Sequence, residues 1–207
     1  MKTVLFQGDS ITDVGRSRDN DRMLGSGYPT VAAAIAGSKR PGEFRFLNRG
    51  ISGSRVVDLY ARIRKDMLNL EPDYLSILIG VNDVWHDLEN NGVDAVKFEM
   101  VYDLLVGELT AARPAIRIMI MEPFVLRGSA TNDCYDEFFR PEVLLRAEAA
   151  KRVAEKHGLP FLSLQKTFDD LYKEQPEGYW LADGVHPTVE GHGVIARKWL
   201  ELFEKTV

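Results

Sequence analysis

Ser10, Asp183 and His186 are the side chains with which chemistry could begin in this chain. A serine hydroxyl is a weak nucleophile until a base takes its proton, and imidazole suits that task near neutral pH. A carboxylate on one ring nitrogen fixes the tautomer and leaves the other nitrogen free to accept. Asp183 and His186 stand three apart in Asp183-Gly184-Val185-His186-Pro187, a spacing at which they meet if the connection makes a helical turn. A loop ion pair beside a helix start would account for the same residues. Ser10, in Gly8-Asp9-Ser10, also fits an ordinary helix-capping serine. Of the other histidines, His157 before Gly158 reads as a helix C-terminus. His192 reads as a packed or solvated residue of the last helix, and His86 as a residue that could line a site.

Acyl transfer also needs hydrogen-bond donors where the carbonyl oxygen becomes an oxyanion. Gly53 offers a backbone N–H with no side chain in the way, Asn82 offers its amide, and Ser10 its own N–H. Each has a plainer reading, Gly53 as a turn residue and Asn82-Asp83 as a turn. Asp9, Trp85 and Trp180 are candidates for substrate contact, although core packing explains the two tryptophans as well.

The elements that must position these groups alternate. Thr3–Gln7, Phe44–Asn48, Tyr74–Ile79, Ile116–Met121 and Phe161–Leu164 are short apolar runs bounded by turn residues, as buried parallel strands are. Helical patterns cover Tyr28–Ala36, Arg55–Leu68, Val93–Ala112, Glu142–His157 and a last stretch from Pro187 to about Lys205, with a short helix beginning near Ile11. Alternating β and α elements predict a parallel sheet with helices on both faces, and such sheets bind ligands at the carboxyl ends of their strands. The first three predicted strands run into Gly8-Asp9-Ser10, Asn48 to Gly53, and Gly80-Val81-Asn82-Asp83. Three segments thus deliver small or polar groups to one edge.

Composition narrows the setting. The 207 residues suit one α/β domain, 1–207; 45% are hydrophobic and 28% charged, with a net charge of −5. No nucleic-acid or membrane partner is expected from that balance, and no window approaches a membrane span. Arg16, Arg18 and Arg22, interrupted by Asp19 and Asp21, read as a solvated loop. The single cysteine, Cys134, has no disulfide or zinc partner. The apolar run Val4–Phe6 is too short for a secretory leader, so a cytoplasmic protein is expected unless a leader has been removed. The polar stretch from Pro123 to Pro141, with Phe138 and Phe139 embedded, reads as a loop or a subunit contact.

The segments FQGDSITD, NRGISG, GVND and DGVHP resemble, in order, the sequence blocks of the SGNH/GDSL hydrolases, across residues 6 to 187. Ile11 stands where the older family name has leucine. The resemblance implies Ser10 as nucleophile, His186 as general base and Asp183 orienting it, with Ser10, Gly53 and Asn82 around the oxyanion. It implies a flavodoxin-like α/β/α sandwich on a five-stranded parallel sheet, and no metal or organic cofactor. More narrowly, GDSITDVGR, NRGISGSRVVDLYAR, IGVNDVWHD and DGVHPTVEGH resemble the intracellular acetylxylan esterases, which implies a homo-oligomer acting on a small acetylated sugar. A lysophospholipase, thioesterase or other carboxylesterase of the same superfamily stays open. So do metal-assisted phosphoester hydrolysis using Asp9, Asp13, Asp183 and His186, and a non-catalytic carbohydrate-binding protein.

Overall fold

Five short strands carry the molecule: β1 (Lys2–Gly8), β2 (Phe44–Asn48), β3 (Tyr74–Leu78), β4 (Arg117–Met121) and β5 (Phe161–Leu162). They come from a computed structural model that describes residues 1–175 and 177–207. Every neighbouring pair is parallel, in the order β2-β1-β3-β4-β5. Between β2 and β3 the chain crosses back over β1, so the direction of winding reverses at the β1–β3 pair. Such a reversal opens a crevice at the carboxyl ends of the two strands.

Alternation along the strands assigns their side chains to two cores. Val4 and Phe6 of β1 face one side with Tyr74, Met119 and Met121. There they meet α2 (Tyr28–Lys39), α8 (Gln165–Glu174) and α9 (Val189–Phe203). Leu5, Leu75, Ile77, Ile118 and Ile120 face the other side, against α3 (Val56–Ala61), α6 (Ala95–Ala112) and α7 (Arg140–Lys156). α6 is helical by its pattern: Phe98, Tyr102, Leu105 and Leu109 recur at three and four residues and are all buried. Trp199 of α9 packs on Phe6 at 5.1 Å between ring centroids, and its indole N–H donates to Ser76 Oγ at 2.8 Å. Truncating it to alanine would cost about 3–5 kcal/mol.

Several expectations change. The helix expected over Arg55–Leu68 breaks at Arg62 into α3 and α4 (Ile63–Asp66), followed by a 3-10 turn. The guanidinium of Arg62 turns back toward Ser54 Oγ at 3.2 Å and Gln7 Oε1 at 3.1 Å. Asn82-Asp83 is part of a short helix, α5 (Val81–Trp85), rather than a turn. α8 was not anticipated, although Phe168, Leu171 and Tyr172 lie at helical spacing and face the core. The segment from Pro123 to Pro141 is irregular as far as Asn132 but not merely polar: Phe124, Val125, Leu126 and Phe139 are buried. Gln165 holds it through paired bonds of 2.9 Å to the N–H and C=O of Val125. Nor are Arg16 and Arg18 merely solvated. Both donate to Gly50 O, at 2.7 and 3.2 Å, and so pin the loop after β2. Arg22 is exposed, as expected.

Candidate active site

Directly after β1 the chain turns into α1 (Ser10–Asp13). The cap of this helix is Asp9, whose carboxylate accepts the Ile11 N–H at 2.9 Å. That frees the next hydroxyl from capping. Ser10 Oγ lies 3.0 Å from His186 Nε2, and His186 Nδ1 lies 2.7 Å from Asp183 Oδ2. The residues that the sequence left as a possible cap and a possible loop ion pair are therefore joined across 176 positions.

The turn that joins Asp183 to His186 is not helical. Leu181 and Pro187 form an antiparallel bridge, and Ala182 N–H donates to His186 O at 2.8 Å. Asp183 Oδ1 accepts the N–H groups of Val185 and His186 at 2.9 and 2.8 Å, which leaves Oδ2 for the imidazole. Gly184 holds φ +97°, and a Cβ there would lie 2.6 Å from Leu126 O. Only glycine suits this corner. The loop hangs on the preceding segment by Leu126 N–H to Gly184 O and Ala130 N–H to Asp183 O, both 2.9 Å.

Electrostatics follow the geometry. Burial alone would raise the Asp183 pKa, but the His186 side chain and two backbone N–H groups outweigh it and pull it to about 2. The Asp183 carboxylate in turn raises His186 above its ordinary value, against partial desolvation. The two shifts agree: the pair favours an imidazolium, which is the state a base reaches after taking a proton.

Gly53, Asn82 and Ser10 border one cleft of about 310 Å³ with His186. Gly53 has φ +79°, which directs the backbone of the loop after β2 in a way that disfavours other residues. Among the described residues, neither the Gly53 N–H nor the Ser10 N–H is spent on another protein group. Asn82 gives one amide hydrogen to Ser54 O at 3.2 Å, and the second remains for the cleft. Such an arrangement can bind the oxygen of a carbonyl beside a serine that a histidine can deprotonate.

Trp85 and His86 also line the cleft, and the Trp85 ring lies 5.9 Å from that of His186 and 5.9 Å from that of Phe139. The other two substrate-contact candidates lie elsewhere. Asp9 is 1% exposed and turned inward to cap α1, with burial raising its pKa to about 7. Trp180 donates its indole N–H to Leu171 O at 3.0 Å and packs on the core outside the cleft. His157 pairs with Asp103 at 2.7 Å at the end of α7. His192 is buried and accepts the Tyr28 N–H at 3.2 Å. Of the four groups considered as metal ligands, Asp13 instead accepts from Ser52 N–H, Ser52 Oγ and Arg18 at 3.0, 3.1 and 2.7 Å. Among the described residues no three of His, Cys, Asp and Glu are gathered at one point.

Two carboxylates, Asp83 and Asp13, take supporting roles that their sequence settings did not assign them. Asp83, fully buried, accepts the Val56 N–H at 3.0 and 3.2 Å and thereby holds the start of α3, just beyond Gly53. Asp13 ties α1 to Ser52 on the other side of the same loop. Asp83 was within reach, as the neighbour of Asn82 in GVND; nothing local to Asp13 announces a bond 39 residues away.

Residues 6–194 match the GDSL-like lipase/acylhydrolase family. The chain is 32% identical to an acetylxylan esterase of Geobacillus stearothermophilus, over 95% of this chain and 91% of the relative. A protein of Parabacteroides merdae described as a GDSL-like lipase superposes with a TM-score of 0.90 at 36% identity, covering 97% of this chain and 94% of that one. A catalytic mutant of the Geobacillus esterase, with serine replaced by alanine, gives 0.85 at 32%, covering 97% and 93%. No described helix is long and apolar enough to cross a membrane. Fold, sequence and relatives agree: the chain belongs to the GDSL-like lipase/acylhydrolase family and is a carboxylic ester hydrolase of the three-layer α/β/α type.

Proposed function

We propose that this protein removes acetyl groups from acetylated xylo-oligosaccharides or related small sugar esters, through a Ser10–His186–Asp183 triad. The observation that carries the reading is the unbroken chain of contacts from Ser10 Oγ to His186 at 3.0 Å and on to Asp183 at 2.7 Å, opening on one cleft with Gly53 and Asn82. The likeness to an acetylxylan esterase supports the substrate class.

In this mechanism Ser10 Oγ attacks the ester carbonyl carbon while its proton passes to His186 Nε2. The carbonyl oxygen takes the negative charge and is met by the N–H groups of Ser10 and Gly53 and the Asn82 amide. The bond to the sugar oxygen breaks, that oxygen takes the proton from His186, and an acetyl group remains on Ser10. Water then gives a proton to His186 and attacks the acetyl carbon. Acetate leaves as Ser10 Oγ recovers its proton. Asp183 keeps its charge throughout and stabilises the imidazolium at each transfer.

The test is acetate release from acetylated xylo-oligosaccharides, in EDTA, by wild type and by a folded Ser10→Ala variant. Turnover by wild type and near-abolition in the variant supports the reading. No release by protein that still cleaves simple acyl esters removes the sugar substrate, and equal release by both proteins removes Ser10 as nucleophile. The homo-oligomer belongs to the same proposal, and light scattering of the purified chain tests it.

A further inference from the structure

Beyond Trp85 the chain makes a 3-10 turn over His86–Glu89, and Glu89 reaches the same cleft as Ser10. Its side chain is exposed and, among the described residues, forms no ion pair and no side-chain hydrogen bond. Among the described residues no lysine or arginine lines that cleft, and Glu89 is its one lining carboxylate. The nearby guanidinium of Arg55 is committed: it pairs with Asp58 at 3.0 Å and donates to both oxygens of Asn91, at 2.6 and 2.8 Å. Behind the imidazole stands a further carboxylate, Asp183. Glu89 thus places a carboxylate at the mouth of the cleft.

The backbone that carries Glu89 is held. Asn90 closes the turn at φ +57°, and Asn91 N–H donates to His86 O at 2.9 Å. Arg55 then clamps Asn91 to the residue that caps α3, two positions after Gly53. The turn bearing Glu89 is thus tied to the segment that follows the oxyanion glycine.

We propose that Glu89 is a charge filter on the alcohol side of the cleft, favouring esters of neutral, hydroxyl-bearing alcohols and disfavouring those whose leaving group is anionic. A carboxylate can accept two hydroxyl hydrogens from a neutral polyol, whereas it repels a phosphate, sulfonate or carboxylate. The proposal rests on acyl transfer at Ser10 and sharpens its substrate class: phospholipid-like and nucleotide-bearing acyl donors are disfavoured by charge. At the separations of a small, wet cleft the effect amounts to about three- to tenfold in rate, and salt screens it.

The experiment compares kcat/KM for 4-nitrophenyl acetate and its ring-sulfonated, anionic analogue in wild type, Glu89→Gln and Glu89→Lys. Intrinsic reactivity of the two leaving groups cancels when the neutral-to-anionic ratio is compared between proteins. The expected result is a ratio that falls about three- to tenfold in Glu89→Gln, falls further in Glu89→Lys, and shrinks in wild type at about 0.5 M salt. A ratio unmoved in both variants overturns the filter, as does a change confined to the neutral ester. If acetylated sugars are not turned over while the ratio behaves as expected, the sugar substrate fails and the filter stands. If Ser10→Ala cleaves both esters as wild type does, acyl transfer at Ser10 fails and the filter with it.

Discussion

Asp83 grips the backbone N–H of Val56 with both carboxylate oxygens, at 3.0 and 3.2 Å, from a fully buried position. Burial holds its pKa well above the carboxylate range, against the pull of the Val56 N–H. The same residue's carbonyl accepts the Val93 N–H at 2.8 Å. One aspartate thus joins α5, which carries Asn82, to the loop that carries Gly53, and its bonds set the gap between two oxyanion donors.

Replacing Asp83 with alanine would leave the Val56 N–H unpaired in the interior, at a cost of about 1–3 kcal/mol in stability. The Gly53 loop would be released with it, and kcat should fall more than KM changes. Asp83→Asn retains an acceptor and should recover much of both. Chemical denaturation and steady-state kinetics on the two variants check this; full activity in Asp83→Ala would show that the loop needs no such tether.

Asn82→Ala should lower kcat by about 10²–10³ with a small change in KM, the loss expected of one oxyanion donor. Steady-state kinetics on a simple acetyl ester measures it. A variant with wild-type kcat would remove Asn82 from the transition state.

The rate should depend on neutral His186. Because Asp183 raises the imidazole pKa, the midpoint of the rise in kcat/KM with pH should lie above 6.5. Asp183→Asn removes that hold, so its midpoint should move down while the rate drops by about 10²–10⁴. pH–rate profiles of both proteins decide the matter. An unmoved midpoint in the variant would mean that another group sets it.

His192 predicts a pH dependence of stability rather than rate. Burial depresses its pKa from 6.5 to about 4, so the folded state holds it neutral. Its contribution is present above pH 6.5 and is lost as pH falls from there toward about 4, amounting to at most about 3 kcal/mol. Asp9, raised to about 7, acts in the opposite sense: its contribution is present below its unfolded value of 3.8 and is lost as pH rises through about 7. Denaturation of wild type and His192→Gln between pH 7 and pH 4.5 isolates the histidine. The stability difference between the two proteins should narrow on acidification, and a constant difference would count against a buried neutral imidazole.

Most of the sheet was legible because parallel strands buried on both faces read as bare apolar runs, and because polar groups after them mark the ligand edge. Ser10, Gly53, Asn82, Asp183 and His186 stand in such places, and the structure gathers all five. What stayed hidden depends on partners far along the chain. Asp9 looks like a neighbour of the reactive serine, yet a single bond to Ile11 turns it into a buried cap. Arg16 and Arg18 look like a solvated run until Gly50 supplies the acceptor. Phe124 and Phe139 sit in a polar stretch whose burial is decided by Gln165 and Trp85 rather than by periodicity.

The loop bearing Asp183 and His186 takes two of its supports from Leu126 and Ala130, in a stretch between β4 and α7 that has no regular strand or helix around those bonds. The serine and its oxyanion donors, by contrast, follow directly on the adjacent strands β1, β2 and β3 of the sheet. The molecule therefore keeps the base and the nucleophile on separate mountings. A shortened or lengthened 123–134 connection would displace the imidazole while the sheet stayed whole, giving a well-folded protein that still holds esters and no longer cleaves them. Change of length in that connection is the simplest route by which this architecture could pass from hydrolase to binding protein.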